Sequence, residues 1–190
     1  RAREASAGYG GRTIIENLTL DIPRNARVAV MGPNGSGKST LIKLLLGQLE
    51  PLSGQVHRAR DLIVSYMPQL PENLCGTPFD IAEAEGLRTD YFLMLLRKLD
   101  FPREAFERDV SGYSLGQRKK VLLAASMARP AHLYVWDEPL NYMDLESREQ
   151  IEDMLYETDA TLLFIVHDAR FVEKIATARI RLLGASDTNG

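Results

Sequence analysis

Cysteine is almost absent: Cys75 stands alone in 190 residues. One thiol excludes an intrachain disulfide framework and a cysteine-built zinc site. Neither sign of charge dominates. The 23 Lys/Arg and 26 Asp/Glu leave a net charge of −3, which excludes a chain that binds polyanions by bulk charge. No unbroken apolar stretch approaches the roughly 20 residues of a membrane-spanning helix. Repeats and low-complexity tracts are missing. No Met opens the chain and no charged-then-apolar signal segment follows, so the chain reads as a piece of something longer. What is present is ordinary for one domain: 45% hydrophobic and 26% charged residues. That balance excludes disorder, collagen and coiled coil as descriptions of the whole chain. A chain of this length buries roughly 70% of the surface its unfolded form exposes, so it can hold a core unaided.

Charge is spread unevenly. Residues 1–60 carry nine Lys/Arg against four Asp/Glu, and residues 61–190 the acidic balance. A basic first third suits phosphates, and an unevenly charged solvated surface is the plainer alternative. Strand and helix signals alternate along the chain. Ile14–Ile22, Arg27–Met31, Leu62–Met67, His132–Trp136 and Leu162–Val166 read as strands. Helices are expected over Lys38–Leu49 (stopped by Gly47 and Pro51), Phe79–Glu85, Asp90–Leu99 with Thr89 as N-cap, Arg103–Arg108, Leu115–Arg129, Asp144–Tyr156 and Phe171–Ala176. Short apolar strands separated by helices predict a mostly parallel sheet covered on both faces. Residues 70–114 lack any strand signal and read as a helical insertion. The polar tail from Gly184 is expected to fray.

Two segments carry chemistry. Gly32-Pro-Asn34-Gly35-Ser36-Gly37-Lys38-Ser39-Thr40 contains G-x-x-x-x-G-K-[ST], with an apolar strand before it and a helix after it. Its glycines let successive N–H groups converge on a phosphate, and the helix adds its positive end. Lys38 supplies a point charge for the β- and γ-phosphates, and Ser39 a hydroxyl for Mg²⁺. The second segment, His132-Leu-Tyr-Val-Trp-Asp137-Glu138-Pro139, is an apolar strand ending in two acids. Strand carboxyl ends are where ligands sit in open α/β sheets. There Asp137 can hold Mg²⁺ through water, and Glu138 can orient or deprotonate an attacking water.

Together these segments resemble a P-loop NTPase, and four further pieces resemble the ATP-binding-cassette (ABC) family. Ser114-Leu-Gly116-Gln117 is similar to its LSGGQ signature, and Gln69 to its Q-loop glutamine. Asn141-Tyr-Met-Asp144 resembles the D-loop, and His167 the switch histidine. Tyr9 stands where the family's aromatic stacks on adenine. The resemblance covers essentially the whole chain. It implies ATP and Mg²⁺ as cofactors, with Tyr9, residues 32 and 34–40, and Gln69 at the nucleotide. Ser39, Gln69 and Asp137 would hold the metal, and Glu138, His167 and Lys38 would carry the hydrolysis. Ser114, Gly116 and Gln117 would contact the γ-phosphate of a second cassette. Leu115 departs from the signature's first glycine. Arg118-Lys119-Lys120 opens the helix with cations, which suits a bound anion or a solvated face. Trp136 is expected to pack under the core, and His57, His132 and Cys75 are read as surface or packing residues.

The implied fold is α/β: a P-loop NTPase core of the ABC type. It combines a mostly parallel sheet, antiparallel N-terminal strands and a small helical subdomain, all in one nucleotide-binding domain. The run Trp136-Asp-Glu-Pro-Leu-Asn-Tyr142 looks most like the second cassette of ABC-F antibiotic-resistance proteins of the ribosome-protection branch. That resemblance implies a cytoplasmic ATPase that pairs with a second cassette and works on the ribosome. A nucleotide-binding subunit of a membrane transporter is the alternative, and a non-hydrolysing module a third, supported only by Leu115.

Overall fold

A computed structural model describes residues 1–70 and 74–183. Two sheets form. The smaller is antiparallel, in the order β2-β1-β4: β1 (Ala2–Tyr9), β2 (Arg12–Leu20) and β4 (Ser53–Val56). The larger is parallel at each pairing. Its order is β5-β6-β7-β3-β8, from β5 (Val64–Met67), β6 (Leu133–Asp137), β7 (Leu162–Ile165), β3 (Arg27–Met31) and β8 (Ala178–Arg181). The expected fold class therefore stands: an α/β P-loop NTPase with an antiparallel N-terminal sheet.

Alternation along the parallel strands sorts side chains between two cores. Val28, Val30, Val135, Leu163 and Ile165 join α1 (Lys38–Leu46) and the antiparallel sheet on one face. Ala29, Met67, Trp136, Leu162 and Phe164 face the other way. There they meet α4 (Leu115–Ala128), α5 (Leu145–Tyr156) and α6 (Ala169–Ile175). Both faces are covered, which is why these strands read as continuous apolar runs. Trp136 packs into the core as expected, its indole N–H donating to the Ser126 hydroxyl at 3.0 Å.

Residues 74–114 hold α2 (Pro78–Ala84), α3 (Thr89–Lys98) and two 3₁₀ turns, Arg103–Glu107 and Val110–Gly112. No strand occurs among the described residues there. Three expectations need correction. Helix α3 begins at Thr89, and Arg88 is the residue in the extended N-cap conformation, with no side-chain cap. Arg103–Arg108 tightens into a 3₁₀ turn after Pro102 rather than an α-helix. Helix α1 stops at Leu46, because Gly47 takes φ 78° and its N–H bonds back to Leu44. Strands β1, β4 and β8 lie outside the runs expected as strands. The polar tail lies outside the described residues.

Candidate functional site

Parallel pairing puts the carboxyl ends of β5, β6, β7 and β3 on one edge, in that order. Gln69 follows β5, Asp137 and Glu138 end β6, His167 follows β7, and the glycine loop follows β3. Four sequence-distant motifs thus meet because of strand order alone.

The glycine loop is shaped for an anion. Gly32 has φ 152°, and a Cβ there would lie 2.5 Å from Ser36 Oγ and 2.6 Å from the Leu182 carbonyl. Gly37 has φ 95° and is the N-cap of α1, so no side chain accepts from the first helical N–H groups. Ser36 Oγ is buried with no hydrogen-bond partner among the described residues. Lys38 is buried, and its ammonium donates to the carbonyls of Gly32 and Pro33, each at 2.9 Å. Uncapped N–H groups, an orphaned hydroxyl and a lysine folded over its own loop fit a polyphosphate. Asn34 and Gly35 form the exposed tip, Ser39 is exposed, and Thr40 is buried. Tyr9 ends β1 at the tip of a hairpin, half exposed, with the Lys43 ammonium 5.7 Å from its ring centre.

At the acidic strand end, Asp137 is buried, and its pKa is raised first by that burial and then by Glu138. Lys119 and Lys38 act in the opposite direction, so both lysines lie within electrostatic reach of it. No cluster of three or more His, Cys, Asp or Glu among the described residues could hold a metal alone. Mg²⁺ keeps waters and borrows phosphate oxygens beside one or two carboxylates, and Asp137 is the carboxylate at this strand end that could hold it.

Glu138 is where the site converges. Its carboxylate accepts from Gln69 Nε2 at 2.9 Å and from Asn141 Nδ2, and it faces His167 Nε2 at 3.3 Å. Its backbone has φ 51°, the left-handed region, which costs a residue with a side chain about 1 kcal/mol or more. A cleft of about 250 Å³ opens there, lined by Glu138, Asn141, Arg148, His167 and Asp168 among others. Asn141 is an addition to the site residues expected from sequence, and its signal is its place in the run that resembles the D-loop.

No hydrogen bond among the described residues joins Ser114, Gly116 or Gln117 to Glu138, Gln69 or His167. Ser114 is the N-cap of α4, and Ser114 and Gln117 exchange the two bonds of a capping box. Gly116 passes under the D-loop: a Cβ on it would sit 2.5 Å from the Tyr142 carbonyl oxygen. No hydrogen bond among the described residues joins the three to the glycine loop. Leu115 is exposed beside them. Of the cations in Arg118-Lys119-Lys120, Lys119 is buried, which corrects the solvated-face reading for that residue. Each side chain turns back to carbonyls: Arg118 to Tyr113 and Ser111, Lys119 to Pro68 and Glu138, Lys120 to Leu99. His132 Nδ1 accepts from the Ile63 N–H, His57 pairs with Gln55, and Cys75 is exposed, as their plainer readings expected.

A polyphosphate loop, an acidic strand end and a parallel sheet define a nucleotide-binding P-loop protein. The profile of the family described as "ABC transporter" matches residues 15–141, and the chain belongs to that family as an ATP-binding cassette. It is 35% identical over 192 residues to "ATP-binding protein Uup" of Caulobacter vibrioides, an alignment covering 96% of this chain and 32% of that protein. It is 33% identical to "Ribosome protection protein VmlR" of Bacillus subtilis, covering 94% and 33%. Its relatives include two proteins described as ABC transporter F family members of Arabidopsis thaliana. A solved structure described as the ATP-binding subunit of an ABC transporter superposes with TM-score 0.81 at 25% identity, covering 95% of this chain and 84% of that one. The chain spans about a third of the length of the curated relatives it matches.

Proposed function

We propose that this chain is the ATP-hydrolysing cassette of an ABC-F ribosome-associated factor of the antibiotic-resistance kind. Its nucleotide-driven pairing with a second cassette would power a clamp. The observation that carries the reading is the convergence of Gln69, Asn141 and His167 on the Glu138 carboxylate. Glu138 takes the proton from a water attacking the γ-phosphorus, as the bond to the β-phosphate oxygen breaks. His167 and Gln69 fix where that water sits. Lys38 and the N–H groups of the glycine loop hold the phosphates, with Asn34 to Thr40 wrapping them, and Tyr9 stacks on the adenine. Ser39, Gln69 and Asp137 would hold Mg²⁺, which would supply charge neutralisation to the transferred group. Ser114, Gly116 and Gln117 complete the site of the second cassette, a role that rests on the likeness of their segment to the signature motif.

The ribosomal partner rests on the likeness to a ribosome protection protein. A cytoplasmic location accords with the described residues, of which no helix is long and apolar enough to cross a membrane. The test is Glu138→Gln in the intact protein, sedimented with ribosomes with and without ATP. The variant is expected to keep ATP, lose turnover and pellet with ribosomes only when ATP is present. Retained ATP without ribosome binding would favour a transporter subunit. Unchanged turnover would remove Glu138 as the base.

A further inference from the structure

One of the three cations that open α4 has no solvent exposure at all: Lys119. Its ammonium donates to two main-chain carbonyls, Glu138 at 3.1 Å and Pro68 at 3.3 Å. They belong to different segments. The first is the residue whose carboxylate gathers the site. The second immediately precedes Gln69. A lysine is rarely buried without such partners, since desolvating an ammonium is costly. Burial lowers the Lys119 pKa to about 8, with Asp137 and Glu138 opposing the shift.

The Glu138 backbone needs holding. It sits at φ 51°, where a side chain is unfavourable, so neighbours must fix it. Its N–H donates to the Ile165 carbonyl at 3.0 Å, and its carbonyl accepts from Lys119 at 3.1 Å and, more weakly, from the Asn141 N–H at 3.4 Å. The same ammonium fixes the entry to the Gln69 segment, whose amide meets Glu138 Oε2 at 2.9 Å. One turn before it on α4 stand Ser114, Gly116 and Gln117.

We propose that Lys119 is a positioning residue for hydrolysis: it clamps the Glu138 and Pro68 carbonyls together, so that Gln69 and Glu138 meet in the productive arrangement. Through α4 it also ties this cassette's own site to the signature turn offered to its partner. The inference rests on Glu138 acting as the base.

Lys119→Met tests it, because methionine fills a similar volume without donors. In the intact protein, with single-turnover kinetics and nucleotide binding measured separately, ATP affinity is expected to stay within about threefold. Turnover is expected to fall about 10- to 100-fold, the scale of a misplaced catalytic group. Ser126→Ala, on the same helix and equally inside, is the control for simple loss of stability. It removes bonds to Trp136 and Ser65 and leaves the Glu138 carbonyl alone. Should Lys119→Met fail to fold, Lys119→Arg, which keeps the charge but changes the reach, carries the same test. Turnover within twofold of wild type overturns the proposal. So does a loss of turnover matched by Ser126→Ala at equal loss of thermal stability. Glu138→Gln run in parallel separates the two layers. If it is inactive while Lys119→Met is active, only the role of Lys119 falls. If Glu138→Gln is itself active, the reading of the base falls and this inference with it.

Discussion

Replacing Trp136 by Phe probes how the acidic strand end is anchored. Trp136 is the residue before Asp137, 1% exposed, and its indole N–H donates to Ser126 Oγ on α4 at 3.0 Å. Phenylalanine keeps an aromatic ring but removes about 40 Å³, and at about 24 cal/mol per Å³ the void costs about 1 kcal/mol. The lost hydrogen bond adds about 1 kcal/mol. No orphan is left behind, because Ser126 Oγ keeps the Ser65 hydroxyl at 2.8 Å. The sum is about 2 kcal/mol, which for a chain of this size is a fall in Tm of about 4–8 °C. Urea unfolding followed by far-UV circular dichroism measures it, with an unchanged slope as the condition for reading the midpoint as stability. A double-mutant cycle with Ser126→Ala should show coupling of about 1 kcal/mol. A Trp136→Phe chain as stable as wild type, or one strictly additive with Ser126→Ala, would refute the reasoning that this bond pins the strand to α4.

Asn141→Ala removes a charge-assisted donor from the Glu138 carboxylate, a contact worth about 1.5–3 kcal/mol. Turnover should fall about 10- to 100-fold while nucleotide affinity, measured by equilibrium binding, holds. Asp137→Asn should stabilise the nucleotide-free chain at neutral pH. The folded-state pKa of Asp137 is raised, so its ionised form costs stability above that pKa. The gain should shrink as pH falls through the raised value and vanish below the unfolded value near about 4. Thermal melts of both proteins at pH 7 and pH 4 compare directly. The same substitution should abolish the extra stability that Mg²⁺ with ATP confers on the wild type.

The parallel sheet was legible because its strands are buried on both faces, which forces short apolar runs such as Leu162–Ile165. The missed strands lack that constraint. Strand β1 uses Ala2, Ala5 and Ala7 as its buried residues, and alanine carries no strand preference. Shifts of register against β2 between Ala2 and Ala5, and again around Ala7, break the period of two that would have revealed it. Strands β4 and β8 are four residues each, and Gly54 and the two arginines of β8 make them read as loop. They are strands because a neighbour supplies the partners, a tertiary fact.

The site divides along the same line. Phosphate chemistry demands particular residue types at fixed local spacing, so the glycine loop and the acidic strand end could be read directly. The contacts on Glu138 come from segments up to 69 residues away, and only strand order brings them together. Lys119 shows the sharper failure. Within Arg118-Lys119-Lys120 it looked like one of three equivalent cations, yet it falls four and seven residues before buried Leu123 and Ser126. That spacing places it on the inward stripe of α4. Helical phase thus carried the signal that charge obscured. A cation on such a stripe must find carbonyls or carboxylates, and here the nearest belong to Glu138 and the residue before Gln69.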